Sequence, residues 1–138
     1  MLQNQTILIA DDQAHVRLPL EYLVRTLPGV RVVTASNGRQ AVELAVAQRP
    51  ALVLLDVMMP ELDGYAACRQ IRQAWANHPG QIWFVTARGS TLDTDQAQEV
   101  GATRCITKPF DPDRILTLIR EHLGLAGSMP GQPLRKSA

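Results

Sequence analysis

Five polar residues stand at the ends of apolar runs in this sequence: Asp11, Asp12, Asp56, Thr86 and Lys108. Three carboxylates brought together repel one another and need a compensating positive charge. Mg²⁺ prefers hard oxygen ligands of this kind, and the Lys108 ammonium would add a further positive charge. Aspartate can also act as a nucleophile that forms an acyl phosphate. If the fold gathers these side chains, they suit phosphoryl transfer, which depends mainly on positioning and charge neutralisation.

The strands and helices that would bring these five polar residues together alternate along the chain. Apolar runs predict five strands, at residues 6–10, 30–35, 51–55, 82–85 and 104–107. Stretches with helical spacing follow each run, and Asn37, Asp63 and Asp111 are typical helix caps. Such alternation predicts an α/β fold, a doubly wound parallel sheet with helices on both faces. The carboxyl ends of its strands then share one edge, where ligands of open α/β sheets bind.

Pro19 and the lysine usage are two local irregularities. Pro19 falls inside the first helical pattern, so that helix either starts late or is kinked there. Of fourteen basic residues only Lys108 and Lys136 are lysine. The folded part is therefore expected to contain a single lysine, at the end of the last strand.

Composition predicts one globular domain. The chain has 138 residues, of which 46% are hydrophobic and 20% charged. A net charge of +1 gives no electrostatic case for direct nucleic acid binding or for an anionic membrane surface. No apolar run approaches the roughly 20 residues of a membrane span, and no secretory signal is visible. Cys68 and Cys105 need not pair, so a reducing, cytoplasmic location is expected.

Periodicity ends near residue 124. We therefore expect a domain over residues 1–123 and a disordered tail over residues 124–138. No second domain is visible after residue 123, which suggests a stand-alone protein unless the chain is a fragment.

The chain resembles the receiver domain of bacterial two-component response regulators, of the chemotaxis-receiver type. Four segments carry the resemblance, in order and at the expected spacing: Asp11-Asp12, residues 54–64, Thr86-Ala87 and Lys108-Pro109-Phe110. The resemblance covers about residues 5–123 and implies the flavodoxin-like strand order 2-1-3-4-5.

The resemblance also implies a role for each site residue. Asp56 would be the phospho-acceptor, and Mg²⁺ would be held by Asp11, Asp12, Asp56 and the backbone carbonyl of Met58. Thr86 and Lys108 would contact the phosphoryl oxygens, and the Lys108-Pro109 peptide would be cis. The phosphoryl donor would be a sensor histidine kinase or a histidine phosphotransfer protein, and an unknown output protein would meet a surface near residues 87–107.

Three positions depart from the usual pattern of the family. Cys105 stands where the family usually has an aromatic switch residue, whose ring turns inward on phosphorylation. A cysteine has no ring, so this part of the switch is expected to be weak. Met58 and Arg88 stand at the two positions that flank the phosphoryl group and affect how fast it is lost.

Alternative functions remain open at this point. Asp11 and Asp12 alone fit a solvated helix start equally well. A phosphorylation-independent pseudo-receiver adaptor is the main alternative, which the absence of an aromatic residue at Cys105 leaves open. An aspartate-nucleophile phosphatase is disfavoured, because Met58 replaces the second aspartate of its Asp-x-Asp motif. We therefore expect no enzyme activity beyond the chain's own phosphorylation and dephosphorylation.

Overall fold

Strands and helices alternate throughout the computed structural model, which describes residues 5–87 and 94–124. The elements are β1 (Gln5–Ala10), α1 (Ala14–Arg25), β2 (Val30–Ala35), α2 (Gly38–Gln48), β3 (Leu52–Leu55), α3 (Gly64–Ala74), β4 (Gln81–Thr86), α4 (Thr94–Glu99), β5 (Arg104–Thr107) and α5 (Pro112–Leu123).

The five strands form one parallel sheet in the order β2-β1-β3-β4-β5. The fold class and the strand order predicted from the sequence are thus confirmed. Because β1 and β3 are neighbours while the chain visits β2 between them, the direction of winding reverses between these two strands. Residues that follow β1 and β3 therefore lie side by side at the carboxyl edge of the sheet, at its topological switch point.

Both faces of the sheet are covered by helices, which is why the strands read as near-continuous apolar runs. On one face Ile9, Leu54 and Trp83 pack against α1 and α5. On the other face Leu55 and Phe84 pack against α2 and α3. Because the side chains on both sides are packed against helices, a shift in register would disrupt both core clusters and draw the polar residues at the strand ends into them, so the ends of the strands are fixed in place.

Side-chain caps define where three helices begin. Asn37 accepts a hydrogen bond from the Gln40 N–H at 2.8 Å, and Asp63 accepts one from the Ala66 N–H at 2.9 Å. Asp111 caps α5 with Pro112 in its first turn. Each cap satisfies an N–H group that the helix itself leaves unpaired.

Helix α1 runs through Pro19 instead of starting after it. Proline removes the N–H that would bond to the carbonyl of His15. Both residues are exposed, so this carbonyl can be hydrated and the helix continues.

Three strands differ slightly from the predicted bounds. Strand β1 begins at Gln5, one residue earlier than expected, β3 begins at Leu52, one residue later, and β4 extends over residues 81–86. Cys105 is exposed on β5, which is an edge strand of the sheet.

His78 and His122 have structural contacts. Their Nε2 atoms lie 2.7 Å from the carbonyl oxygen of Pro50 and 2.9 Å from that of Ala51, respectively. Each ring also contacts a buried tryptophan, Trp75 for His78 and Trp83 for His122. Both histidines therefore stabilise the amino end of β3, away from the strand ends that carry the polar cluster.

The described helices are all too short or too polar to cross a membrane. The predicted tail lies outside the described residues apart from Gly124, and so do residues 88–93 of the predicted partner surface.

A chain ending at Gly124 is expected to keep its melting temperature within about 2 °C, a few tenths of a kcal/mol for a domain of this size. Leu123 already completes the core, and Gly124 closes α5 in a left-handed conformation with φ 74°. Thermal unfolding of the full and shortened chains checks this. A drop of many degrees would show that residues 125–138 pack on the domain.

Candidate functional site

All five polar residues singled out in the sequence lie at the carboxyl edge of the sheet. Asp11 and Asp12 follow β1, Asp56 follows β3, Thr86 ends β4 and Lys108 follows β5. Asp11, Asp56 and Thr86 are buried, with 4%, 5% and 1% of their surface exposed, whereas Asp12 is exposed. Backbone hydrogen bonds continue the sheet into this cluster, from the Asp11 N–H to Ala35 and from the Asp56 N–H to Ala10.

Lys108 joins the two buried carboxylates. Its Nζ lies 2.7 Å from Asp11 Oδ2 and 3.2 Å from Asp56 Oδ2, and only 11% of its side chain is exposed. The backbone N–H of Lys108 donates to the Thr86 carbonyl at 2.9 Å, which fixes the backbone of Lys108 beside the end of β4. One ammonium group thus compensates two carboxylates that could not both remain charged if buried alone.

The electrostatics of the cluster raise two pKa values. Burial, followed by repulsion from Asp11, raises the pKa of Asp56 above its usual value, although Lys108 and the Met58 N–H oppose this. For Lys108, burial acts to lower the pKa, but the hydrogen bond to Asp11 and the two carboxylate charges outweigh it and raise the pKa. Lys108 therefore stays charged, while ionised Asp56 is held in an unfavourable environment.

The loop after β1 and the first turn of α1 hold Asp11 through two further contacts. Asp11 Oδ1 accepts a hydrogen bond from the Gln13 N–H at 2.9 Å, and the Arg17 guanidinium donates to the Asp11 carbonyl at 2.8 Å. Both carboxylate oxygens of Asp11 are consequently engaged, one by Gln13 and the other by Lys108. Arg17 was not anticipated, since nothing in the spacing marks an arginine on α1 as a partner of the strand end.

Asp56 faces an open cleft at the same edge. The residues lining it are Asp12, Gln13, Asp56, Met58, Met59, Pro60, Thr86, Ala87 and Lys108. Among the described residues, Asp56 Oδ1 has only a long contact, 3.4 Å, to the Met58 N–H. The Met58 side chain is 54% exposed at the rim of the cleft, so an apolar group borders the approach to Asp56.

Three carboxylates of this cluster lie close enough to share a cation. One oxygen each of Asp11, Asp12 and Asp56 lies within 4.8 Å of the others. Hard carboxylate oxygens, one of them on exposed Asp12, match the preference of Mg²⁺ for oxygen ligands and retained water. The chemistry of these donors therefore fits a divalent cation.

The remaining predicted positions lie around the last strand. The Lys108-Pro109 peptide is cis. Cys105 on β5 lies opposite Phe84 on β4, and Phe84 is two residues before Thr86. Cys105 is exposed and, as a cysteine, places no large side chain beside the end of β4.

Comparisons with known proteins agree with this geometry. Residues 7–120 match the family model of the response regulator receiver domain. A probable transcriptional regulator, ycf27, from Porphyra purpurea is 40% identical over 121 residues, covering 88% of this chain and 48% of that protein. The alkaline phosphatase synthesis transcriptional regulatory protein PhoP of Bacillus subtilis is 38% identical over 112 residues, covering 81% and 45%. The chain thus spans about half the length of these relatives.

Solved structures show the same fold. The receiver domain of a sensor histidine kinase from Pseudomonas aeruginosa, with a magnesium ion coordinated in its active-site cleft, matches with a TM-score of 0.77 and 30% identity, covering 88% of this chain and 98% of that one. The response regulator domain of Thermotoga maritima CheB matches with a TM-score of 0.74 and 27% identity, over 88% and 98%. With the strand order and the match over residues 7–120, these findings establish that the chain belongs to the receiver domain family of two-component response regulators.

Proposed function

We propose that this receiver domain accepts a phosphoryl group on Asp56 from a sensor histidine kinase or a histidine phosphotransfer protein, with Mg²⁺ bound at the carboxylate cluster. The observation that carries the proposal is the Lys108 ammonium, placed 2.7 Å from Asp11 and 3.2 Å from Asp56 at the edge of an open cleft. A buried carboxylate held next to an ammonium group is suited to becoming an acyl phosphate, because the cation is already in place for the incoming charge.

Asp56 is the better nucleophile of the two buried carboxylates. Both oxygens of Asp11 accept short hydrogen bonds, and Asp11 is not among the described residues that line the cleft. Asp56 lines the cleft, and its Oδ1 has only a long contact within the part of the chain that the structure describes. In the transfer this oxygen forms a bond to phosphorus while the donor's phosphorus–nitrogen bond breaks, and the electron pair returns to the imidazole nitrogen.

The other site residues would then neutralise charge and hold the group. Asp11, Asp12 and Asp56, with the Met58 carbonyl, would hold Mg²⁺, which supplies charge neutralisation for the phosphoryl oxygens. Lys108 would form an ion pair with one phosphoryl oxygen, and the Thr86 hydroxyl would donate a hydrogen bond to another. Both side chains border the cleft beside Asp56, which supports these roles.

The surface of α1 would meet the phosphodonor. At the start of α1, Ala14 is exposed, Val16 is half-buried and Leu18 is 55% exposed. Tyr22 is 74% exposed and lies one turn further along the same side of the helix. Two large exposed apolar side chains on one face, next to the acidic loop, support a contact with a helical partner.

The output partner would meet the surface near residues 87–107. Within its described part, Arg104, Cys105 and Thr107 of β5 are exposed on an edge strand. Because β5 pairs with β4, a shift at Thr86 would reach this surface directly.

Catalysis would be limited to the chain's own phosphorylation and dephosphorylation.

Incubation with Mg²⁺ and acetyl phosphate is expected to add one phosphoryl mass on Asp56. The reason is that the Asp56 carboxylate, which lines the cleft, lies beside Lys108 and two further acidic ligands. Intact-protein mass spectrometry, with Asp56→Asn as the control, measures it. A phosphoryl mass that persists in Asp56→Asn, or that forms equally well with EDTA, would contradict the proposal. An unmodified chain that still binds an output protein would favour the pseudo-receiver alternative.

Asp56→Asn is expected to raise the free energy of unfolding at pH 7 by about 1 kcal/mol, in the range found when a strained functional site is relieved. The native pKa of Asp56 is raised, so its contribution to stability is present below the unfolded pKa and is lost as pH rises through the native pKa. The advantage of the variant should therefore shrink as the pH falls toward about 4.

Denaturant unfolding at both pH values checks this, with Asp113→Asn as the control. Asp113 is exposed in the first turn of α5, so its replacement removes the same charge without relieving burial. An Asp56→Asn variant less stable than the native chain at pH 7 would show that the Lys108 contact outweighs burial.

Leu18→Ala and Tyr22→Ala are each expected to slow phosphoryl transfer from a histidine kinase about fivefold or more, as for central interface residues. Transfer from acetyl phosphate should be unchanged, since neither residue lines the cleft. The test uses a panel of autophosphorylated kinases, with Val46→Ala, a 44% exposed residue on α2, as the matched control. Native rates for both variants with every kinase that phosphorylates the native chain would exclude this surface.

A further inference from the structure

Gly38, the first residue of α2, is in close contact with the loop that follows the phospho-acceptor. A Cβ atom at this position would overlap the carbonyl oxygen of Leu62 and would lie 2.8 Å from the Leu62 Cβ. The backbone of Gly38 lies outside the left-handed region, so no turn geometry requires glycine here. What requires it is the approach of the β3–α3 loop, residues 56–63.

At this contact the loop adopts an unusual turn. The Leu62 N–H donates to the Pro60 carbonyl at 2.7 Å, and Glu61 between them has a φ of 70°. A three-residue turn with positive φ at its centre is the rarer and more strained form of γ-turn. A strained turn persists only where its surroundings hold it, and here the close packing of Gly38 against Leu62 does so. Arg39 also pairs with Glu61 at 3.5 Å, but both side chains are exposed, so this ion pair adds little.

The other end of the loop is fixed against the site itself. The Gly64 N–H donates to the Val57 carbonyl at 2.7 Å, and a Cβ at Gly64 would overlap the Asp56 carbonyl oxygen. Between these two contacts the loop carries Met58, Met59 and Pro60, all of which line the cleft. Moving Leu62 away from α2 would therefore have to move the cleft-lining residues, because the end at Gly64 has no free space.

We propose that Gly38 is a positioning residue for the phospho-accepting site. It lets α2 approach the β3–α3 loop closely enough to hold the strained turn at Glu61, and this sets where the Met58 backbone lies relative to Asp56. The inference rests on the proposed function, in which that backbone helps to hold Mg²⁺. Gly38 touches neither the metal nor the phosphoryl group, and it acts through Leu62.

The test compares Gly38→Ala with Gly80→Ala. A Cβ at Gly80 would also be crowded, 2.5 Å from the Pro50 oxygen and 2.9 Å from His78 Nε2, but at the amino edge of the sheet. Both variants are expected to unfold at lower denaturant concentrations than the native chain. Mg²⁺ affinity, measured by calorimetry where circular dichroism shows each variant folded, should fall about tenfold in Gly38→Ala only, the loss typical of outer-shell changes.

Three outcomes would overturn the inference. Native Mg²⁺ affinity in folded Gly38→Ala would do so, and an equal loss in Gly80→Ala would show a general effect of destabilisation. If Gly38→Ala does not fold, Glu61→Pro decides instead. Proline cannot adopt a φ of 70°, and Glu61 is exposed, so this variant disrupts the turn from the solvent side. It is expected to fold and to show the same loss, and native affinity would overturn the inference.

The failure of the proposed function would appear differently. In that case the native chain itself would remain unphosphorylated on Asp56 with acetyl phosphate and Mg²⁺. If the native chain is phosphorylated and Gly38→Ala keeps native Mg²⁺ affinity, only the positioning role of Gly38 is lost.

Discussion

Two carboxylates buried side by side and joined by one ammonium group determine how this domain has to be built. Asp11 and Asp56 are neighbours because β1 and β3 are neighbours, and Lys108 must reach them from β5. Strand β5 lies two strands from β3, a distance of roughly 10 Å at the usual strand spacing. The side chain therefore crosses the end of β4, and a small residue there, Thr86, leaves the space that a larger one would fill.

This arrangement opposes stability, and the rest of the fold offsets it. The raised pKa of Asp56 means that its ionised form is disfavoured in the native state. Strands with apolar residues on both faces hold their ends in register, and close backbone contacts at Gly38 and Gly64 hold the loop after β3. A local arrangement that is unfavourable by itself persists because rigid neighbours leave it no alternative.

The sequence was sufficient to predict the sheet, its helices and the gathering of Asp11, Asp12, Asp56, Thr86 and Lys108. The reason is general, since parallel strands end at one edge and the polar residues stood where apolar runs stopped. Contacts between separate elements were not predictable in this way. Arg17 binding the Asp11 carbonyl and Gly38 meeting Leu62 join positions with no common period or motif.

The choice of lysine at position 108 follows from the same geometry. Twelve of the fourteen basic residues are arginine, so the chain does not favour lysine in general. An ammonium group is a compact charge with three donors that can turn among several acceptors, whereas a guanidinium is a larger planar fork suited to one bidentate partner. Nζ of Lys108, whose side chain is only 11% exposed, contacts single oxygens of two different carboxylates. A phosphoryl group on Asp56 would add a third acceptor at the same point, and a rotating ammonium can serve it without moving β5.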